Sequence, residues 1–87
     1  MINHTDLGAN AEQRSKKLRP LILTGQVTFG GNRQLKIYGT LSCRSGRRMK
    51  AANRVFFATE QEAVDAGYRP CGHCLREKYK QYNAVLV

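Results

Sequence analysis

Arg69-Pro70-Cys71-Gly72-His73-Cys74 is the stretch that decides how the rest of the chain is read. Its two cysteines stand in a C-x-x-C, the spacing at which one turn of backbone presents two thiolates to one tetrahedral metal. Gly72 lets that turn tighten, and Pro70 forces an extended approach into Cys71. From Leu75 to Tyr82 the pattern reads as a helix whose N-terminal dipole would lie near the thiolates. Alone, the motif also suits a redox pair or two thiols packed as small apolar groups. A redox pair asks for a strand before it and a helix after it, and only the helix is evident. Cys43 tips the reading toward metal. It lies in a loop, separated from the pair by a strand and a helix, and small zinc modules close with one ligand arm from each half of the domain.

Working outward, Thr59 with Glu62 three residues on is a capping-box signature for a helix start. Ala63, Val64 and Ala66 supply its apolar side, and Gly67 is placed to end it in a left-handed conformation. Arg54-Val55-Phe56-Phe57 before it is a short strand, its phenylalanines read as core rather than base-stacking platforms. Tyr79 and Tyr82, three apart on the last helix, are likewise read as packing on the sheet. Further upstream, Leu21-Ile22-Leu23, Val27-Thr28-Phe29 and Leu35-Lys36-Ile37-Tyr38 are β-prone runs. Gly30-Gly31-Asn32 reads as a hairpin turn between the last two, with Leu35 and Ile37 on a buried face and Lys36 and Tyr38 on a wet one. Met1 to about Arg19 is polar, and Asn10 is placed to cap a short helix ending before Pro20. The expectation is an α+β fold: a short sheet made of a hairpin plus one further strand, then two C-terminal helices. Residues 1–19 would be a mobile or loosely docked arm, and 20–87 the zinc-stabilised domain.

With 87 residues, no Trp, three Phe and four Tyr, the core alone is marginal and a metal is a plausible stabiliser. Three cysteines, an odd number, fit a disulfide framework poorly. The N-terminus lacks an apolar run after basic residues, and no apolar stretch is long enough to span a membrane. We therefore expect a cytoplasmic, reducing setting with thiols available to Zn2+, and a monomer. The net charge of +9 is uneven: Arg44, Arg47, Arg48, Lys50 and Arg54 follow one another with no acidic residue between. Such a cluster attracts polyanions through phosphate contact and counterion release, without reading sequence. It is equally the pattern of a solubility face. No strongly amphipathic helix lies beside it, which argues against a membrane partner. No Ser-His-Asp set, carboxylate pair or phosphate-cradling loop points to another enzyme class or to a small-molecule substrate.

The order Cys43-Arg44, Asn53-Arg54-Val55-Phe56-Phe57-Ala58, Glu62-Ala63 and Ala66-Gly67-Tyr68-Arg69-Pro70-Cys71-Gly72-His73-Cys74 resembles the metal-binding domain of the Ada family of bacterial alkylation-repair proteins. The likeness runs from about Gln34 to Arg76. It implies a small α+β domain with structural zinc on four cysteines, bound to DNA and concerned with repair or its transcriptional regulation. In that family one thiolate irreversibly accepts a methyl group from a methylphosphotriester in the DNA backbone, and the methylated domain binds its promoter more tightly. By this likeness Cys71 and Cys74 carry over as zinc ligands, Cys43 as a ligand and as candidate methyl acceptor, and Arg44, Arg47, Arg48, Lys50, Arg54 and Arg69 as DNA-backbone contacts.

The chain departs from the family pattern at one ligand. The family has Cys-x-x-x-Cys in its first half, whereas the positions four before and four after Cys43 are Gly39 and Arg47. Cys43 can match either family cysteine. Four thiolates on zinc make a doubly negative cluster able to attack a methyl carbon; three with a neutral donor leave one negative charge and a weaker nucleophile. The candidates for the fourth donor are His73, His4 and water, with His73 alternatively an exposed donor to phosphate. Arg69 would either offset thiolate charge or hold a phosphate. A module whose zinc only holds a protein-interaction surface together is the third reading.

Overall fold

A computed structural model describes residues 1–43 and 49–86. Among these described residues, five strands form one sheet: β1 (Ile2–Asn3), β2 (Phe29–Asn32), β3 (Ile37–Thr40), β4 (Arg54–Phe57) and β5 (Arg69–Pro70), in spatial order β1-β4-β2-β3-β5. All neighbours are antiparallel except β3 and β5, which run parallel. Three α-helices accompany it: α1 (Ala11–Leu23), α2 (Glu60–Asp65) and α3 (Arg76–Leu86). The α+β class, the central hairpin with one further strand and the two C-terminal helices are as expected. Two short edge strands enlarge the sheet. Residues 1–19 supply one of those edges, a 3₁₀ turn over His4–Leu7 and the first two turns of α1.

The two adjacent phenylalanines of β4 explain why the domain needs both faces of its sheet. Successive strand residues point to opposite sides. Val55 and Phe57 join Tyr38, Ala63 and Tyr68 in one buried cluster, with Phe29 and Leu75 against it. Phe56 joins Leu7 and Val27 in another, with Ile2, Leu18 and Leu21 packed alongside. Helix α2 therefore closes one face and α1 the other.

That arrangement overturns three local expectations. Leu21–Leu23 is the last turn of α1, not a strand, and the helix runs through Pro20. The proline removes one helical donor. However, Leu18 and Leu21, three apart, dock on the Phe56 cluster and hold the last turn, which Thr24 closes by donating to the Pro20 carbonyl. Asn10 does cap the helix, its side chain accepting from the Gln13 N–H at 2.9 Å. Gly30, Gly31 and Asn32 lie within β2, and the turn falls on the next residues. There Asn32 Oδ1 accepts from the N–H groups of Gln34 and Leu35, both at 3.0 Å, and Lys36 takes a positive φ of 57°. Gly31 is small for room rather than for rotation: a Cβ there would meet the Ile37 carbonyl and the Phe57 ring at 3.0 Å. Finally, the burial phase of β3 is reversed. Tyr38 is 2% exposed while Leu35, in the turn, is 62% exposed.

The second half follows its sequence closely. Thr59 Oγ1 accepts from the Glu62 N–H at 3.1 Å, and Gly67, at φ 86°, ends the helix. Of its apolar residues only Ala63 is buried; Val64 and Ala66 are exposed.

Candidate metal centre

Strand β3 assembles the site. The carbonyls of Lys36, just before it, and of its Tyr38 accept from the N–H groups of Arg69 and Cys71, both at 2.8 Å, which lays the C-x-x-C turn against the end of β3. Leu75 N–H donates to the Cys71 carbonyl at 3.0 Å, closing the turn before α3 begins. Cys43 follows β3 directly, its N–H donating to Thr40 at 3.2 Å. The Sγ atoms of Cys43, Cys71 and Cys74 consequently lie within 4.8 Å of one another. Those of Cys43 and Cys71 are 3.9 Å apart, and no disulfide joins them.

Backbone donors reach two of the sulfurs. Thr40 N–H donates to Cys74 Sγ and His73 N–H to Cys71 Sγ, each at 3.4 Å. Burial pushes the Cys74 thiol above its ordinary range, opposed by the Thr40 donor and reinforced by Cys43 and Cys71. Cys43 is buried and the pair half-buried. Three soft sulfur donors converging at this separation, with backbone N–H groups aimed at two of them, are a set that zinc fits. A strand does precede the pair, contrary to expectation, but it is two residues long and the third sulfur stands beside it.

Among the described residues, the metal-ligating group contains these three cysteines alone. His73 is exposed and brings its backbone N–H, not its ring, to the site. His4 lies elsewhere: its ring meets Phe56 edge-on at 5.2 Å, and burial with Arg54 and Arg14 nearby lowers its pKa. Sequence reasoning did not foresee the disposition of Gly39. A Cβ on it would stand 2.7 Å from Cys74 Sγ and 3.2 Å from the Cys71 Cβ. The spacing four before Cys43 was the only signal. The position four before Cys43 is thus bare backbone facing the sulfur cluster.

Of the basic residues, Arg44, Arg47 and Arg48 lie outside the described residues. Lys50 is exposed. Arg54 is half-buried, which lowers its pKa, and it shares a cavity wall with Cys43 and Cys71. Arg69 lies over the Tyr79 ring at 5.3 Å and donates to the Pro70 carbonyl at 3.4 Å. Tyr79 itself is half-buried against Gly72, whereas Tyr82 is 38% exposed. No helix among the described residues is long and apolar enough to cross a membrane.

The model of the metal-binding domain of Ada matches residues 24–77, more than half of the chain. No curated protein and no solved structure matches it. With a sulfur cluster of this geometry behind the match, the chain belongs to the Ada metal-binding domain family and is a zinc-binding protein.

Proposed function

We propose that this is a DNA-binding module of the Ada type, ordered by zinc on Cys43, Cys71 and Cys74, that serves DNA repair or its transcriptional regulation by gripping phosphates. Bound there, zinc supplies a cross-link between the end of β3 and the turn before α3. The observation that carries the reading is the distribution of charge around that frame. Against a net charge of +9, three of the six carboxylates are already tied within the chain. Glu62 meets the Met1 amine at 2.8 Å, Glu12 meets Lys16 at 3.2 Å, and Glu60 meets Lys78. The remaining field is strongly attractive to a polyanion. Lys50, Arg54 and Arg69 flank the cysteine cluster in sequence, beside the arginines of 44–48. Contacts of this kind fix a protein on the backbone without choosing bases.

Methyl acceptance by Cys43 is the weaker reading. Its side chain is 9% exposed, and with three sulfurs in place of four the cluster carries one negative charge less. Incubation with duplex containing methylphosphotriesters should leave the mass of the protein unchanged. A gain of one methyl on Cys43 would reinstate that reading. For DNA binding, affinity for a short duplex should fall steeply with salt, and Lys50→Gln should reduce the slope of log affinity against log salt by about 1. Affinity that is flat with salt, or no binding, would sink the proposal in favour of a protein-interaction module.

A further inference from the structure

The sulfur cluster is one donor short, and the fold puts open space beside it. Protein zinc sites hold four donors, and those with three protein ligands keep the last position for a molecule from solution. The chain has three cysteines and two histidines, and neither histidine ring joins the cluster. Residues 44–48, Arg-Ser-Gly-Arg-Arg, contain no Cys, His, Asp or Glu. On β3 beside the cluster, Gly39 is bare backbone against Cys74 Sγ, which lies 2.7 Å from where a Cβ would stand. Gly30 is its register partner across the β2–β3 pair, so two glycines stand opposite each other on the same face of the sheet. Neither offers a side chain, and a cavity of about 300 Å³ lies over them. Cys43 and Cys71 open onto it, its other walls include Ile37, Leu41, Met49 and Phe56, and its lining is mainly apolar. Among the described residues that line it, Arg54 is the one cation.

We propose that the three-cysteine zinc site takes its fourth donor from solution: a small thiol with an apolar body, bound as the thiolate in the cavity beside Gly39. The soft donor matches the sulfur set. The body occupies the mainly apolar cavity, and the Arg54 guanidinium on its wall favours the added negative charge. With zinc held by the three cysteines, the thiol would give its proton to solvent and its thiolate would take the place of the solvent molecule at the fourth position; nothing is oxidised or reduced. The proposal rests on the zinc assignment and is independent of DNA binding.

Cobalt substitution tests it, because thiolate-to-cobalt charge-transfer absorption grows with the number of sulfurs and the visible bands report coordination. The full chain loaded with one Co2+ is titrated with 1-propanethiol and with 2-mercaptoethanol. Going from three sulfurs to four should raise the charge-transfer absorption by about a third, saturably, with the more apolar thiol binding more tightly. Leu41→Trp, which adds bulk to the cavity wall at a residue that is not a ligand, should weaken thiol binding at least tenfold while keeping the cobalt. A wild-type spectrum unmoved by thiol, with cobalt bound, overturns the proposal and leaves the zinc assignment standing. Loss of cobalt to the thiol also overturns it. A chain that takes no cobalt overturns both.

Discussion

Replacing Tyr38 with Phe tests whether β3 is anchored as described. The Tyr38 hydroxyl donates to Glu60 Oε2 at 3.0 Å, from a side chain 2% exposed, while the other Glu60 oxygen takes Lys78. Hydrogen bonds to charged groups contribute about 1.5–3 kcal/mol. Glu60 is half-buried and keeps Lys78, so the lower end applies, and Tyr38→Phe should cost about 1.5 kcal/mol at pH 7. For a domain of this length that is a fall in Tm of roughly 6–12 °C. The same bond sets a pH signature. Burial first, then the bond to Glu60 and its charge, push the Tyr38 hydroxyl from 10.0 up to about 12. The folded state therefore holds the proton more tightly than the unfolded one, and the stability this provides is complete below pH 10 and drains away as pH rises toward 12. Between pH 9 and pH 11 the wild type should lose about 1.3 kcal/mol that Tyr38→Phe does not. Urea unfolding followed by circular dichroism, with zinc held constant, measures both quantities. A gap between wild type and variant that stays constant from pH 9 to pH 11 would refute the reasoning.

Other perturbations are simpler to read. Cys43→Ser should weaken zinc binding by more than about 100-fold, since loss of outer-shell partners alone costs 10–100-fold; native mass spectrometry and metal analysis should show about one zinc per chain in the wild type and a loss in the variant. Phe57→Ala should cost about 3–5 kcal/mol, enough to unfold much of the population, because the ring is fully buried; Tyr82→Ala, on an exposed ring, should stay within about 0.5 kcal/mol in the same urea assay. His4 is held neutral by burial and by Arg54 and Arg14, so its folded pKa lies below 6.5 and protonation favours the unfolded chain. Stability should be unaffected by this group above pH 6.5 and fall below it, and His4→Gln should remove that part of the acid sensitivity in melts at pH 7.5 and pH 5.

The part of the chain with chemistry in it was the most legible. Thr59, Gly67, Pro70 and the C-x-x-C act through local covalent geometry, and each does in the structure what its residue type requires. The hairpin region was misread because glycine has two uses. Gly31 serves closeness to Phe57 rather than positive φ, and Lys36 adopts the left-handed conformation with its ammonium 5.0 Å over the Tyr68 ring. Periodicity failed at Leu35 and Tyr38 because a sheet covered on both faces buries whichever side chain finds a partner, and Tyr38 finds Glu60. Leu21–Leu23 became helix because Leu18 and Leu21 share a face that fits the Phe56 cluster, a tertiary preference outweighing β propensity. At the site, three cysteines were visible as ligands, but backbone donors such as Thr40 N–H leave no trace in residue identity. Gly39 was legible only as a departure from a spacing.

Three consecutive residues of β3 tie the metal centre to the fold. Tyr38 places its side chain in the core while its carbonyl holds Cys71; Gly39 turns bare backbone to the sulfurs; Thr40 donates to Cys74 and accepts from Cys43. A shift of β3 by one residue would exchange these roles and disperse the cysteines, since alternate residues face opposite sides. What prevents the shift lies on its neighbour: Phe56 and Phe57 lock β4 into two clusters at once, and β4 fixes β2, which fixes β3. The sulfurs are thus brought within 4.8 Å by strand register. A site prepared in this way spends little of its binding energy on ordering the chain, which lets it keep a position for a ligand that comes and goes.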